Sequence, residues 1–338
     1  MIAAADSLRL GVALEQEGRT LEACSQYLHA MRVDPTHPLA QYRGCRLLAR
    51  LAEIPEQFLT RRTLEPRAER SQWKPRISVV ICSIDPGKFA RVSSGYEHLL
   101  EGYPHEIVGI HDARSMCEGY NRGFAQTTGE IVIFSHDDIE IVSAGFAEKL
   151  AGLFAQHDII GVAGASGFPD NGLWAHPRSP YAHGVVAHRA PGEEDYATYV
   201  FGVGGALDEG MQVLDGVFFA ARRRVVEAIG FDARTFDGFH FYDIDFTYRA
   251  FLAGFRIAVS NEMIIVHQSR GKFGDEWRRY ADLFLAKHSG AKPHSPPTHR
   301  FWHANIVRLG TTEQVVEFAR LLVATADAAR NASQEAGM

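Results

Sequence analysis
The chain has 338 residues, of which 46% are hydrophobic and 22% charged, and its formal net charge is -6. That length suggests two domains, or one large domain with an appendage. The acidic balance argues against a broad nucleic-acid surface, and no uncharged apolar run approaches a membrane span.

The first residues, MIAAADSLRL, lack the basic start and long apolar core of a signal peptide. Cys24, Cys45, Cys82 and Cys117 form no CxxC pair and read as free thiols of a reducing compartment. A cytoplasmic location is expected, with peripheral attachment to the inner membrane face left open.

Residues 5 to 52 are predicted helical. The spacing of Leu8, Gly11, Ala13, Leu14, Gly18, Leu21, Ala23, Tyr27, Ala30 and Pro35 resembles a tetratricopeptide repeat. Gly18 would permit the turn between two helices, Ala23 and Ala30 their close contact, and Pro35 would end the second. Leu39 to Leu51 would add a capping helix. One repeat cannot bury its own apolar face, and about three are normally needed. The segment must therefore pack on the rest of the chain, or on a second copy or partner protein. Prolines and charges then mark a linker before Ile77.

From Ile77 the pattern changes. ISVVICSI (77 to 84) is a continuous apolar run of the kind buried on both faces in parallel sheets. A helix over Phe89 to Leu100 and a strand over Glu106 to His111 follow. Next come a helix over Ser115 to Gln126 and a β-branched strand over Ile131 to Phe134, which runs into His136, Asp137 and Asp138. Alternating strands and helices predict a doubly wound α/β sheet. A helix over Phe146 to Phe154 and a strand over Ile159 to Ala163 continue it.

Gly164 to Gly210, rich in Gly, Pro, His and aromatics, is expected to be largely irregular and to form a wall or lid, with a strand-like piece at Tyr199 to Val203. One strand is predicted over Val213 to Ala221, a helix from Arg222, and a last core strand over Met263 to His267. Thr311 to Ala329 reads as an amphipathic helix.

Carboxylates at the end of a central strand lie where open α/β sheets bind ligands, and an acidic pair there suits a hard divalent cation. The same pair would also serve to cap the following turn. Taken together, ISVVICSI, the strand ending at Asp112, YNRGFAQTTGEIVIFSHDD and YDIDFTYRAFLAGFRIAV resemble GT-A fold glycosyltransferases of the large inverting family-two type. The resemblance covers roughly residues 76 to 270.

It implies a GT-A domain, a doubly wound, Rossmann-like mixed sheet of α/β class, over residues 76 to 290. A small N-terminal all-α appendage (1 to 60), a linker (61 to 75) and a C-terminal extension with a helix (291 to 338) complete the chain. It further implies Mn²⁺ or Mg²⁺ held by Asp138 and His267, with His136 standing where the family's Asp-x-Asp motif has its first acid. Ser83, Asp112, Asn121, Asp137 and Asp215 are expected around a nucleoside-diphosphate sugar, a UDP-sugar being favoured. A glycan or protein hydroxyl would be the acceptor.

Asp243 is the expected general base and Asp245 its neighbouring candidate, which would serve equally as a helix-start acid favoured by the macrodipole. Tyr242 stands where the family commonly has glutamate. Two other readings are a nucleotidyltransferase, disfavoured by the poorly basic loop SIDPGKFAR, and a catalytically weakened nucleotide-sugar or protein-binding module.

Overall fold
The computed structural model describes residues 4–33, 39–40, 43–44, 46–48, 73–167, 174, 181–271, 273–288 and 306–335. Pro35, Cys45, Leu51 and most of the expected linker lie outside them. Helices α1 (Ala4–Gln16) and α2 (Thr20–Val33) form a hairpin. Gly18 makes the turn between them in the left-handed region, at φ 75°, where a side chain would be strained. Ala23, Tyr27 and Ala30 are fully buried, and the Tyr27 hydroxyl donates to Glu15 at 2.6 Å.

The α/β region opens with β1 (Ile77–Cys82), α3 (Pro86–Leu99), β2 (His105–Ile110), α4 (Met116–Phe124) and β3 (Ile131–Ser135). Asp85 caps α3 by accepting from the Gly87 and Lys88 amides at 2.8 and 3.0 Å, and Pro86 occupies the first helical turn. Strand β4 (Ile139–Ile141), α5 (Phe146–Leu153), β5 (Ile159–Gly161) and β6 (Ala163–Ala165) follow. Then come β7 (Ala182–His188), β8 (Tyr196–Gly202), β9 (Leu207–Glu209), β10 (Val213–Leu214), β11 (Phe218–Arg222) and α6 (Arg223–Ile229). Helix α7 (Tyr242–Leu252), β12 (Ile257–Ser260), β13 (Ile265–His267), α8 (Asp275–Lys287), β14 (Ile306–Leu309) and α9 (Thr312–Glu335) end the chain.

The main sheet runs β2-β1-β3-β11-β5-β12-β9 and is mixed. Strand β1 is parallel to β2 and β3, while β11 is antiparallel to both β3 and β5. Every residue of β3 is buried, as its unbroken apolar run requires. Phe134 packs against Tyr120, Phe219 and Phe231 at ring separations of 4.9, 5.2 and 4.9 Å. Truncating such a side chain to alanine costs about 3–5 kcal/mol.

A second sheet, β10-β6-β7-β13-β4, with β8 and β14 beyond β7, corrects two expectations. The stretch from Gly164 is not largely irregular: β7, β8 and β9 account for much of its described part. Single strands expected over 159–163 and 213–221 are each broken, at Val162 and at Asp215-Gly216-Val217. The first half of one joins the main sheet and its second half the other, and the reverse holds for the 213–221 segment.

The N-terminal hairpin packs on the rest of the chain. Leu14, Tyr27 and Leu28 share one apolar cluster with Phe318 and Leu322 of α9 and with Val185, Val200 and Val266 of the second sheet. Its likeness to a tetratricopeptide repeat rests on residue spacing alone. No helix among the described residues is long and apolar enough to cross a membrane.

Candidate active site
The end of β3 is the centre of the site. Beyond Ser135 the chain leaves the main sheet and enters β4 of the second sheet, so residues 136 to 138 bridge the two sheets. Strand β13, antiparallel to β4, sets His267 opposite Ile139. The Gln268 amide donates to the Asp138 carbonyl at 2.8 Å and locks that pairing. His136, Asp138 and His267 are brought together, with one ligand atom from each lying within 4.8 Å of the others. His267 Nε2 is 3.1 Å from Asp138 Oδ1, and His136 Nδ1 is 3.4 Å from His267 Nε2.

Their electrostatics suit a cation. Burial of Asp138 by itself would raise its pKa, but the His267 hydrogen bond and the nearby imidazoles hold it well below the usual carboxylate range. Burial, aided by the neighbouring His267, pushes His136 down to about 4, so its ring is neutral near pH 7. Two imidazole nitrogens and a carboxylate oxygen form a donor set suited to Mn²⁺, leaving coordination positions for other oxygens.

Asp137 points to the other side. It accepts from the Ser83 hydroxyl at 2.7 Å, which ties the ends of β1 and β3 together. Lys88, in the first turn of α3, sets its ammonium 3.8 Å from Asp137 and 3.6 Å from Asp138. No role for Lys88 was evident from its loop; the signal was Pro86 at a helix start, which turns Lys88 back toward the strand ends. His188 stands behind His267 at a ring separation of 5.3 Å, and its Nδ1 is 2.8 Å from the Ser269 carbonyl. Burial lowers the His188 pKa to about 4.

The break at Asp215-Gly216-Val217 brings a further group of residues to the same place. The His136 amide donates to the Val217 carbonyl at 3.2 Å, and Asp215 accepts from the Val217 amide at 2.8 Å. Gly216 donates its amide to Asp243 at 2.6 Å. Asp243 lies in the first turn of α7, where the helix dipole favours a carboxylate. Burial and the adjacent Asp215 nevertheless push its pKa up to about 7, against the backbone amides of Ile244 and Gly216. Tyr242 places its hydroxyl 2.8 Å from His136 Nε2 and 3.2 Å from the Gly216 carbonyl.

Helix α7 begins in this position because Phe241 adopts φ 63°, and it is the one non-glycine residue with positive φ among the described residues. Such a conformation costs on the order of 1–3 kcal/mol. The Phe241 ring is held by Trp277 and Phe284 at 5.3 and 5.7 Å.

Other expected residues are not part of this cluster. Asp245 takes the helix-start place rather than one beside Asp243. Helix positions two apart do not share a face, so it turns away from Asp243. Its carboxylate is consumed by Arg249 and Lys287, both at 2.7 Å, and by His288 at 3.0 Å. Asn121 bonds within the fold: its amide nitrogen donates to the Phe231 carbonyl at 2.8 Å and its oxygen accepts from the Phe231 amide at 3.0 Å. That bonding fastens α4 to the turn after α6. Asp112 sits on the rim, with its side chain 81% exposed and paired to Arg122.

Among solved structures, a mannosyltransferase, PcManGT from Pyrobaculum calidifontis in complex with GDP-Man and Mn²⁺, is 15% identical. Its TM-score is 0.42, with 94% of this chain and 88% of that chain covered. GalNAc-T7 with UDP, GalNAc and Mn²⁺ is 9% identical at TM-score 0.36, covering 64% of this chain and 51% of that one. Residues 1–349 of S. aureus TarS with UDP-GlcNAc are 14% identical at TM-score 0.34, covering 58% and 59%. The chain thus spans little more than half of the latter two. These likenesses are distant, and the chemistry above stands on its own geometry. No curated protein sequence matches. Residues 78–288, from the first strand of the main sheet to the end of α8, match the family described as "Glycosyltransferase like family". The chain belongs to that glycosyltransferase-like family.

Proposed function
We propose that the protein transfers a sugar from a nucleoside-diphosphate sugar to a hydroxyl of a glycan or protein acceptor, with inversion, using Mn²⁺ or Mg²⁺. The single observation that carries this reading is the convergence of His136, Asp138 and His267 at the end of β3. A bound divalent cation would supply Lewis-acid stabilisation of the negative charge that grows on the departing diphosphate. Asp138, His267 and His136 would hold it. Lys88 would add a second positive charge on the same side, while Ser83 keeps Asp137 oriented.

Asp243 takes the role of general base. It is half-buried, and a pKa near 7 matches it to removing a proton from the acceptor hydroxyl as that oxygen attacks. Asp215 raises that basicity through its charge and orients the Gly216 turn. A UDP-sugar is the favoured donor.

The test is a panel of UDP-, GDP- and dTDP-sugars incubated with Mn²⁺ or with EDTA, reading release of nucleoside diphosphate. One donor class should be consumed with metal and spared with EDTA. Absence of metal-dependent release from every donor would reject the proposal.

A further inference from the structure
We infer that Tyr242 is a positioning residue: it fixes His136 in the Nε2–H tautomer and so aims the bare Nδ1 lone pair at Asp138 and His267. The inference rests on the metal reading of the site above. Which imidazole nitrogen carries the proton is set by the partner of the other nitrogen.

Tyr242 is buried, with its ring against Tyr120 at 5.5 Å, and among the described residues its hydroxyl has two hydrogen-bonding neighbours. Those are His136 Nε2 at 2.8 Å and the Gly216 carbonyl at 3.2 Å. A phenol has one proton to donate. A carbonyl can only accept, so the hydroxyl satisfies both contacts only by donating to Gly216 and accepting from His136 Nε2–H. The opposite arrangement would leave the Gly216 carbonyl without this donor and place a proton on Nδ1.

The other side of the ring gives the same answer independently. His267 Nε2 lies 3.1 Å from the Asp138 carboxylate, where it donates. A proton on His136 Nδ1, 3.4 Å from that same Nε2, would face another N–H. With Nδ1 bare the conflict disappears, and a divalent cation would take the place of the His267 proton among the same three atoms. Gly216 is required for this contact, because a Cβ there would run into the Tyr242 ring. A neutral hydroxyl thus performs a task for which metal sites commonly use a carboxylate or carbonyl.

The experiment uses the full chain labelled with ¹⁵N-histidine, freed of metal with EDTA, and long-range ¹H–¹⁵N NMR at pH 7.5. The His136 signals are identified by their loss in His136→Gln. Wild type should show His136 protonated on Nε2, and Tyr242→Phe should lose that preference. Mn²⁺ affinity, read by electron paramagnetic resonance of the free ion, should fall about 10- to 100-fold in Tyr242→Phe, the scale for losing such a partner.

His136 protonated on Nδ1 in wild type overturns the inference, and that reading holds even if Tyr242→Phe fails to fold. A folded Tyr242→Phe that keeps Nε2–H, or keeps wild-type Mn²⁺ affinity, also overturns it. Failure of wild type to bind Mn²⁺ at all would instead reject the metal reading beneath it, a separate and distinguishable result.

Discussion

Replacing Asp243 by asparagine keeps its shape and its acceptor for the Gly216 amide while removing the group that takes a proton. The effect on stability follows from its pKa, which rises from 3.8 to about 7 on burial beside Asp215. A group whose pKa is higher in the folded than in the unfolded chain favours folding most fully below the unfolded value. That contribution is lost as pH climbs through the folded value. The whole change corresponds to a few kcal/mol, most of which falls between pH 5 and pH 8. Asp243→Asn carries no such charge. In EDTA its urea midpoint, compared with wild type, should therefore gain between pH 5 and pH 8 by that order. Transfer should fall about 10²-fold or more, while nucleotide binding with Mn²⁺ survives. Wild-type kcat/KM should rise as pH passes through about 7, because the base acts as its carboxylate. A variant that gains no relative stability at pH 8, together with near wild-type transfer, would refute the reasoning and make Asp243 an ordinary ionised helix-start acid.

Asp138→Ala should abolish Mn²⁺-enhanced nucleotide binding with the fold intact by circular dichroism, and His267→Ala should lose less, since waters or phosphate oxygens can fill its place. Asp245→Ala should leave metal binding unchanged but destabilise by about 3–5 kcal/mol in urea unfolding, because Arg249 and Lys287 lose their buried partner. For Asn121→Ala the expectation is a loss of about 1–3 kcal/mol, from the orphaned Phe231 backbone groups, with KM for the donor unaltered.

The parts of the fold that could be read from sequence were those with an unambiguous period. The apolar run of β3 and the alternation of strands and helices around it left few other arrangements. Of the two readings of Asp245, the fold favours the helix-start acid, since it lies in the first turn of α7. Two residues apart on a helix means opposite faces, and Arg249 one turn on, which pairs with it, was already visible. Asn121 carried no such signal: its partner, Phe231, is 110 positions away. The second sheet was obscured because β7 and β8 interrupt their apolar alternation with His183, Gly184 and Gly202. The broken strand at Gly216 read as continuous because Val213 to Ala221 is apolar throughout except at Asp215 and Gly216, two of the three residues at which it breaks. Tyr242 appeared in sequence only as a departure from a family pattern; its contact with His136 emerges from the fold.

The central claim is that Asp138, with His267 and His136, holds a metal that in turn holds a nucleoside diphosphate. The most direct measurement is titration calorimetry of UDP and GDP into the protein, with Mn²⁺ and with EDTA, in wild type and Asp138→Ala. The account predicts that one nucleotide binds wild type at least about tenfold more tightly with Mn²⁺, a difference of about 1.4 kcal/mol, and that Asp138→Ala removes this gain. Equal affinity with and without metal, or a gain that survives in Asp138→Ala, would contradict it.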